Sequence, residues 1–178
     1  MTAQAHEAAL TATAAPLLDG LPPVAAPGAR LLVLGSFPSV ASLAARQYYA
    51  HPRNQFWPIV AALWDRALPE WPYAQRIADA QQRGLAIWDV YAACRRRGSL
   101  DSAIADARPN DLAALVARLP GLQAIAHNGG ESARAMTLTR TLGPPVWRLP
   151  STSPANAGWS FERKLAAWRQ AFAACGLA

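Results

Sequence analysis

Four short apolar runs, separated by stretches with helical spacing, constrain this chain more than any other feature. They are residues 30–35 (Arg-Leu-Leu-Val-Leu-Gly), 85–88 (Leu-Ala-Ile-Trp), 122–127 (Leu-Gln-Ala-Ile-Ala-His) and 145–149 (Pro-Val-Trp-Arg-Leu). Each is the length of a strand and too short for a helix. Between the first two, Ser36-Phe-Pro-Ser39 can open a helix with Pro38 in its first turn. Phe56, Ile59, Val60, Leu63, Trp64 and Ala67 then recur at helical intervals, and residues 73–83 read as a helix ended by Gly84. Residues 110–119 read as a helix with an Asn110 N-cap, and a helix running to about Leu142 follows the Asn128-Gly129-Gly130 turn. Residues 160–175 read as an amphipathic closing helix ended by Gly176. Strands alternating with helices predict a three-layer α/β/α sandwich with a four-stranded parallel sheet. Pro145 pushes the fourth strand toward a sheet edge or a strand start.

The 178 residues suit one such domain, spanning 20–178, preceded by a flexible Ala/Thr/Leu-rich extension over 1–19. That extension has no basic segment and is interrupted by Glu7, a poor fit to a secretory leader. No apolar run is long enough to cross a bilayer, so the expected location is the cytoplasm. Two cysteines cannot supply a four-cysteine zinc or iron–sulfur site. His6, His51 and His127 show no H-x-x-x-H spacing, so no metal is expected. Charge points elsewhere. The 17 basic residues all lie beyond residue 29, against 9 of the 11 acidic ones, which suits a polyanionic partner as well as an arginine-rich solvated surface.

In parallel α/β sheets, ligands bind beyond the carboxyl ends of the strands. That rule selects four loops. The first holds Gly35-Ser-Phe-Pro38 and runs on to Tyr48-Tyr-Ala-His-Pro-Arg-Asn-Gln-Phe56. The second holds Asp89 and then Arg95, Arg96 and Arg97. The third is Asn128-Gly129-Gly130, and the fourth is Pro150-Ser-Thr-Ser-Pro-Ala-Asn156. Amides, hydroxyls, rings and one carboxylate suit the reading of an extruded nucleobase by edge hydrogen bonds and stacking. Each residue also has a plainer reading. Asn54 can be a helix N-cap, Phe56 core, His127 a structural histidine, Arg95–Arg97 a solvated patch, and Ser151-Thr152-Ser153 a loop bonded to its own backbone.

The strings Q-Y-Y-A-H-P-R-N-Q-F-W (47–57) and L-P-S-T-S-P-A-N (149–156), with G-S-F-P-S (35–39), L-A-I-W-D-V (85–90) and G-S-L-D (98–101), resemble the uracil-DNA glycosylase superfamily. Within it the likeness is greatest to the deoxyinosine (hypoxanthine) branch. The resemblance runs from about Gly20 to the C-terminus. It implies a four-stranded parallel sheet between helices, a DNA substrate and a monomer. Many relatives carry a water-activating Asp or Asn in the loop where this chain has Phe37, which cannot do that chemistry. The resemblance moves the catalytic amide to Asn54 and gives a second one at Asn128. It puts Ser36, Phe37, Tyr48, Phe56 and Asp89 at the base, with Phe56 as the stacking ring. It puts Ser151, Thr152, Ser153 and Asn156 on the DNA backbone. Arg53 and Arg95–Arg97 are candidate phosphate contacts.

The implied reaction is hydrolysis of the N-glycosidic bond of a deaminated purine through an oxocarbenium-like sugar, with Asn54 positioning water. A bifunctional lyase needs an amine, and Lys164, the only lysine, falls on the closing helix outside these loops. A monofunctional enzyme without cofactor is therefore expected. The rivals are a uracil or mismatch-specific glycosylase on the same fold and a non-catalytic module that binds damaged DNA. A serine hydrolase built on Ser36 ranks last, since the G-x-S-x-G elbow is absent.

Overall fold

The computed structural model describes residues 15–178. Its centre is a four-stranded parallel sheet formed by β2 (Leu31–Gly35), β3 (Leu85–Asp89), β6 (Ala124–Asn128) and β7 (Val146–Leu149), in the order β3-β2-β6-β7. Every residue of β2, β3 and β6 is buried, so both faces of the sheet are covered. The flanking helices are α1 (Val40–Ala45), α2 (Phe56–Trp64), α3 (Tyr73–Arg83), α4 (Leu112–Ala117), α5 (Met136–Thr139) and α6 (Phe161–Ala174). β7 lies at the edge, where Pro145 can precede the ladder without removing a needed donor.

Local chemistry sets the helix ends. Ser39 and Ser160 cap α1 and α6 by accepting from Ser42 N–H and Arg163 N–H. Gly84 closes α3 in the left-handed conformation at φ 90°. Arg30 then ties two helix C-termini together. Its guanidinium donates to the Arg83 carbonyl below α3 and to the Cys175 and Gly176 carbonyls below α6. The core centres on Phe56, Trp168 and Phe172, with Trp64 against Phe172. Its indoles also anchor loops: Trp57 donates to the Tyr48 carbonyl and Trp168 to the Pro150 carbonyl.

Three features depart from the sequence expectations. First, a second sheet is present, antiparallel, with β4 (Tyr91–Arg95) between β1 (Leu17–Asp19) and β5 (Ala105–Pro109). β5 (Ala-Asp-Ala-Arg-Pro) is exposed throughout and has no large apolar side chain to bury, so no core face marks it. β1 falls within the segment read as a flexible extension. Leu17–Asp19 pairs with Arg95, Cys94 and Ala93, and residues 1–14 lie outside the described part. Second, the helix expected after Asn128 is broken into a 3-10 turn (Ser132–Ala135), the short α5 and another 3-10 turn (Arg140–Leu142). Thr137, Thr139 and Thr141 disfavour a continuous helix there, and their hydroxyls offer competing backbone bonds. Third, α4 is capped by Asp111, which accepts from Ala114 N–H. Asn110 instead donates to the Asp89 carbonyl.

Candidate active site

A cavity of about 990 Å³ opens at the carboxyl ends of the parallel strands, as the strand-end rule predicts. All four predicted loops contribute to it, through Gly35–Pro38, Tyr48–Asn54, Asp89 and Asn128–Gly130, and residues 149–156.

The floor is built where β2 and β3 end. Gly35 and Asp89 are register partners, and a Cβ on Gly35 would collide with Asp89 Oδ1. Only glycine leaves room for that carboxylate. Asp89 is 4% exposed, and its Oδ2 has no hydrogen-bond partner. Burial pushes its carboxyl up to about 7, the negative charge of Asp101 adds to this, and Arg96 opposes it. Asp101 lines the cavity too, and Ser36 Oγ donates to its Oδ1 at 2.7 Å. The Ser36 hydroxyl is thus bonded to a carboxylate and not to a histidine, so the Ser–His pair of a serine hydrolase is not formed here.

Tyr48 and Tyr49 form one wall. The Tyr48 hydroxyl points out of the cavity and donates to the Leu21 and Pro22 carbonyls. Tyr49 is the residue missed by sequence reasoning. Its ring stacks on Phe56 with centroids 4.0 Å apart, and its buried hydroxyl makes no hydrogen bond of ordinary geometry, although the Asn128 side chain lies beside it. Its φ of 57° is uncommon for a tyrosine, and backbone strain of this kind tends to collect at functional sites. The Tyr-Tyr pair was visible in the sequence, but nothing there distinguished which ring faces inward.

The expected stacking role of Phe56 needs correction. Phe56 is fully buried, does not line the cavity, and supports Tyr49 from behind. The phosphate role for Arg96 is also corrected. Arg96 is 2% exposed, donates to the Pro38 carbonyl, and holds its guanidinium over the Phe37 ring. Arg95 is partly buried on β4, donating to Ala15 O and pairing with Asp106 at 3.4 Å. Arg97 is exposed just beyond β4. None of these three lines the cavity.

Asn54 lines the mouth of the cavity just before α2. Its Oδ1 accepts from Phe56 N–H at 2.9 Å, which fixes the amide as a cap would. Asn128 ends β6 and is clamped to the fourth loop. Its Nδ2 donates to Thr152 Oγ1 and its Oδ1 accepts from Thr152 N–H, both at 2.9 Å. Thr152 is itself fully buried, which takes its hydroxyl out of reach of a DNA backbone. Ser151 and Ser153 are bonded within the loop, and Asn156 Nδ2 donates to the Ser151 carbonyl. Gly129, at φ 101°, lets Ser151 approach to where a Cβ would lie 2.9 Å from it.

Lys164 belongs to α6 as expected, yet its ammonium reaches between the loops. It donates to Gln55 Oε1 at 2.8 Å and to Asn156 O at 3.0 Å, and is 2% exposed. Arg53 and Arg148 stand exposed at the mouth, and Arg163 stacks 3.9 Å from the Trp159 ring on the rim. His127 is structural. Ser132 Oγ donates to Leu34 O, so it accepts from His127 Nδ1, and Nε2 meets Thr139 Oγ1. Burial lowers its pKa to about 4, so it is neutral at physiological pH. Among the described residues, no group of three or more His, Cys, Asp or Glu could hold a metal. Nor is any helix long and apolar enough to cross a membrane.

Comparison with known proteins matches this architecture. The family described as the uracil DNA glycosylase superfamily covers residues 22–172. A hypoxanthine DNA glycosylase of Methanosarcina acetivorans is 34% identical over 153 residues, 86% of this chain and 96% of that protein. The hypoxanthine DNA glycosylase of Methanosarcina barkeri is 31% identical, over 86% of this chain and 97% of its own length. The solution NMR structure of a candidate uracil DNA glycosylase from Methanosarcina acetivorans superposes with a TM-score of 0.78 at 32% identity, covering 88% of this chain and 99% of that one. With the family match spanning most of the fold and the cavity built from the same loops that carry the motifs, the chain belongs to the uracil DNA glycosylase superfamily.

Proposed function

We propose that this protein is a monofunctional DNA glycosylase that hydrolyses the N-glycosidic bond of deoxyinosine, releasing hypoxanthine and leaving an abasic site. The observation that carries the reading is the cavity itself. It is large enough for a base with its sugar, floored by polar groups, walled by rings and rimmed by arginines. The relatives named as hypoxanthine DNA glycosylases support the choice of base.

In this reading the extruded base enters between Phe37 and Tyr49, and its edge meets Ser36 and Asp89. Asn54, fixed by its bond to Phe56 N–H, holds water against the sugar carbon with the remaining lone pair of its carbonyl oxygen. A carboxamide is a weak base, so the acceleration rests on positioning and on stabilising the sugar cation electrostatically. Asn128 acts by holding the Thr152 loop against the cavity. Arg53, Arg148, Ser151, Ser153 and Asn156 meet the DNA backbone. The buried, bonded ammonium of Lys164 supports attack by water over attack by an amine. The protein acts as a monomer in the cytoplasm.

The test is base release from matched oligonucleotides carrying deoxyinosine, deoxyuridine, deoxyxanthosine or normal bases, with alkaline cleavage revealing abasic sites. Wild type is expected to cleave at deoxyinosine, and Asn54→Ala to bind the same DNA without cleaving it. Release of uracil alone would move the protein to another branch of the superfamily. Full excision by Asn54→Ala would remove that residue from the mechanism.

A further inference from the structure

Five buried side-chain polar atoms among the described residues have no hydrogen-bond partner, and two of them, Asp89 Oδ2 and Tyr49 Oη, belong to residues that line the cavity. Their neighbours are known from every side. Tyr48 and Tyr49 face Asp89 from the loop before α2, Asp101 from the turn after β4, Arg96 from the end of β4, and Gly35 from β2. None of them forms an ion pair with it. Arg96 makes no salt bridge with Asp89, and two of its own guanidinium nitrogens lack partners. The second carboxylate, Asp101, is engaged by Ser36.

A buried carboxylate whose Oδ2 has no donor, and whose neighbouring guanidinium forms no salt bridge with it, is costly as an anion, and a second carboxylate nearby makes it more so. Such a group keeps its proton. The same wall must receive the departing base. A purine leaves poorly as an anion, and a proton placed on its ring makes it a good leaving group.

We infer that Asp89 is the general acid of the reaction, a protonated carboxyl on the cavity floor that gives its proton to a ring nitrogen of the departing purine, with Asp101 as the positioning residue that adds to the effect of burial in keeping it protonated. The inference rests on the glycosylase reading above. In the step, the bond between C1′ and the base breaks and its electron pair leaves with the base. The Asp89 proton passes to the base, which departs neutral. Water adds to C1′ and gives up a proton to solvent, and Asp89 is reprotonated from solvent as the product leaves. Tyr49 Oη, the other unpartnered group, hydrogen-bonds the base edge and orients it toward Asp89.

The direction of the pH effect follows. Asp89 carries its proton below about 7 and loses it above. Activity limited by this acid therefore declines as pH rises through neutrality. Removing the Asp101 charge makes the Asp89 anion easier to form, so the decline begins at lower pH.

The experiment is single-turnover release of hypoxanthine from a deoxyinosine oligonucleotide, from about pH 5.5 to about pH 9, by wild type, Asp89→Asn and Asp101→Asn. Binding to abasic DNA and thermal melting are measured for each protein. Asp89→Asn keeps the shape and a hydrogen-bond donor but has no proton to give. It is expected to lose about 100-fold or more in rate near pH 6, with a flat profile and retained binding. Asp101→Asn is expected to shift the alkaline limb to lower pH. That arm stands even if Asp89→Asn fails to fold. Wild-type rates from Asp89→Asn, or an unmoved limb in Asp101→Asn, would overturn the inference while leaving the glycosylase reading intact. A wild type that releases no hypoxanthine at any pH would overturn that reading and this inference with it.

Discussion

Asp89 lies in the space that a side chain on Gly35 would occupy. The two residues pair across β2 and β3, and the missing Cβ is what admits a carboxylate to the cavity floor. Gly35→Ala should therefore push Asp89 aside, because the new methyl would collide with Asp89 Oδ1. Crowding of a packed site costs about 1–3 kcal/mol. A fall of more than about tenfold in base release is expected, because small displacements of reacting groups are costly. Single-turnover kinetics beside a denaturation curve will separate the two effects.

The Asn128–Thr152 pair is the latch between the third and fourth loops. Thr152→Val removes one of its two bonds and leaves Asn128 Nδ2 buried without an acceptor. A loss of about 1–3 kcal/mol of stability is expected. Because the partners touch, Asn128→Ala and Thr152→Val should be non-additive in a double-mutant cycle, by at least about 0.5 kcal/mol. Additive losses would show that the two loops are held independently.

Lys164→Met removes the ammonium that joins Gln55 to Asn156 while keeping a similar stem. Gln55 adjoins Asn54, so the variant should release base more slowly, by about tenfold, at little change in DNA affinity. Wild type treated with borohydride during turnover should form no covalent adduct with DNA. Trapping that survives in wild type and vanishes in Lys164→Met would make this lysine a nucleophile instead.

Arg53 and Arg96 should separate cleanly in salt titrations of DNA binding. Arg53→Ala is expected to weaken binding for every sequence and lower the salt slope by about one. Arg96→Ala should leave the slope unchanged and lower the melting temperature, since its guanidinium is buried against Phe37 and Pro38.

Two buried groups give stability opposite dependences on pH. Asp89 has a folded pKa of about 7, above its ordinary 3.8, so the folded state holds its proton more tightly. That contribution is present in acid and is lost as pH rises from about 4 through about 7. His127 has a folded pKa of about 4, below its ordinary 6.5. Its contribution is present above about 6.5 and is lost as pH falls toward 4. Asp89→Asn should therefore raise the melting temperature at pH 8 and change it little at pH 5. A scan of melting temperature against pH for both proteins checks the sign.

The parallel sheet, most of its helices and the loops that meet at one edge are legible in the residue pattern. Period and run length report burial, and the strands of this sheet are buried on both faces. The same logic is silent on β5, whose five residues are all exposed, and on the break after Asn128. Motif strings likewise brought Asn54, Asn128 and Asp89 to one cavity, because strand ends in a parallel sheet converge. Which way each side chain faces, and what it is bonded to, emerges only once the chain is folded. Folding turned Tyr49 inward and Phe56 into the core, buried Arg96, engaged both ends of the Asn128 amide, and drew Lys164 between two loops. Those outcomes depend on contacts between residues far apart in the chain, such as Lys164 with Gln55 and Ser36 with Asp101. No local pattern encodes them. The unpaired state of Asp89 is of the same kind, since it reflects the placing of Gly35, Asp101 and Arg96 around one carboxylate.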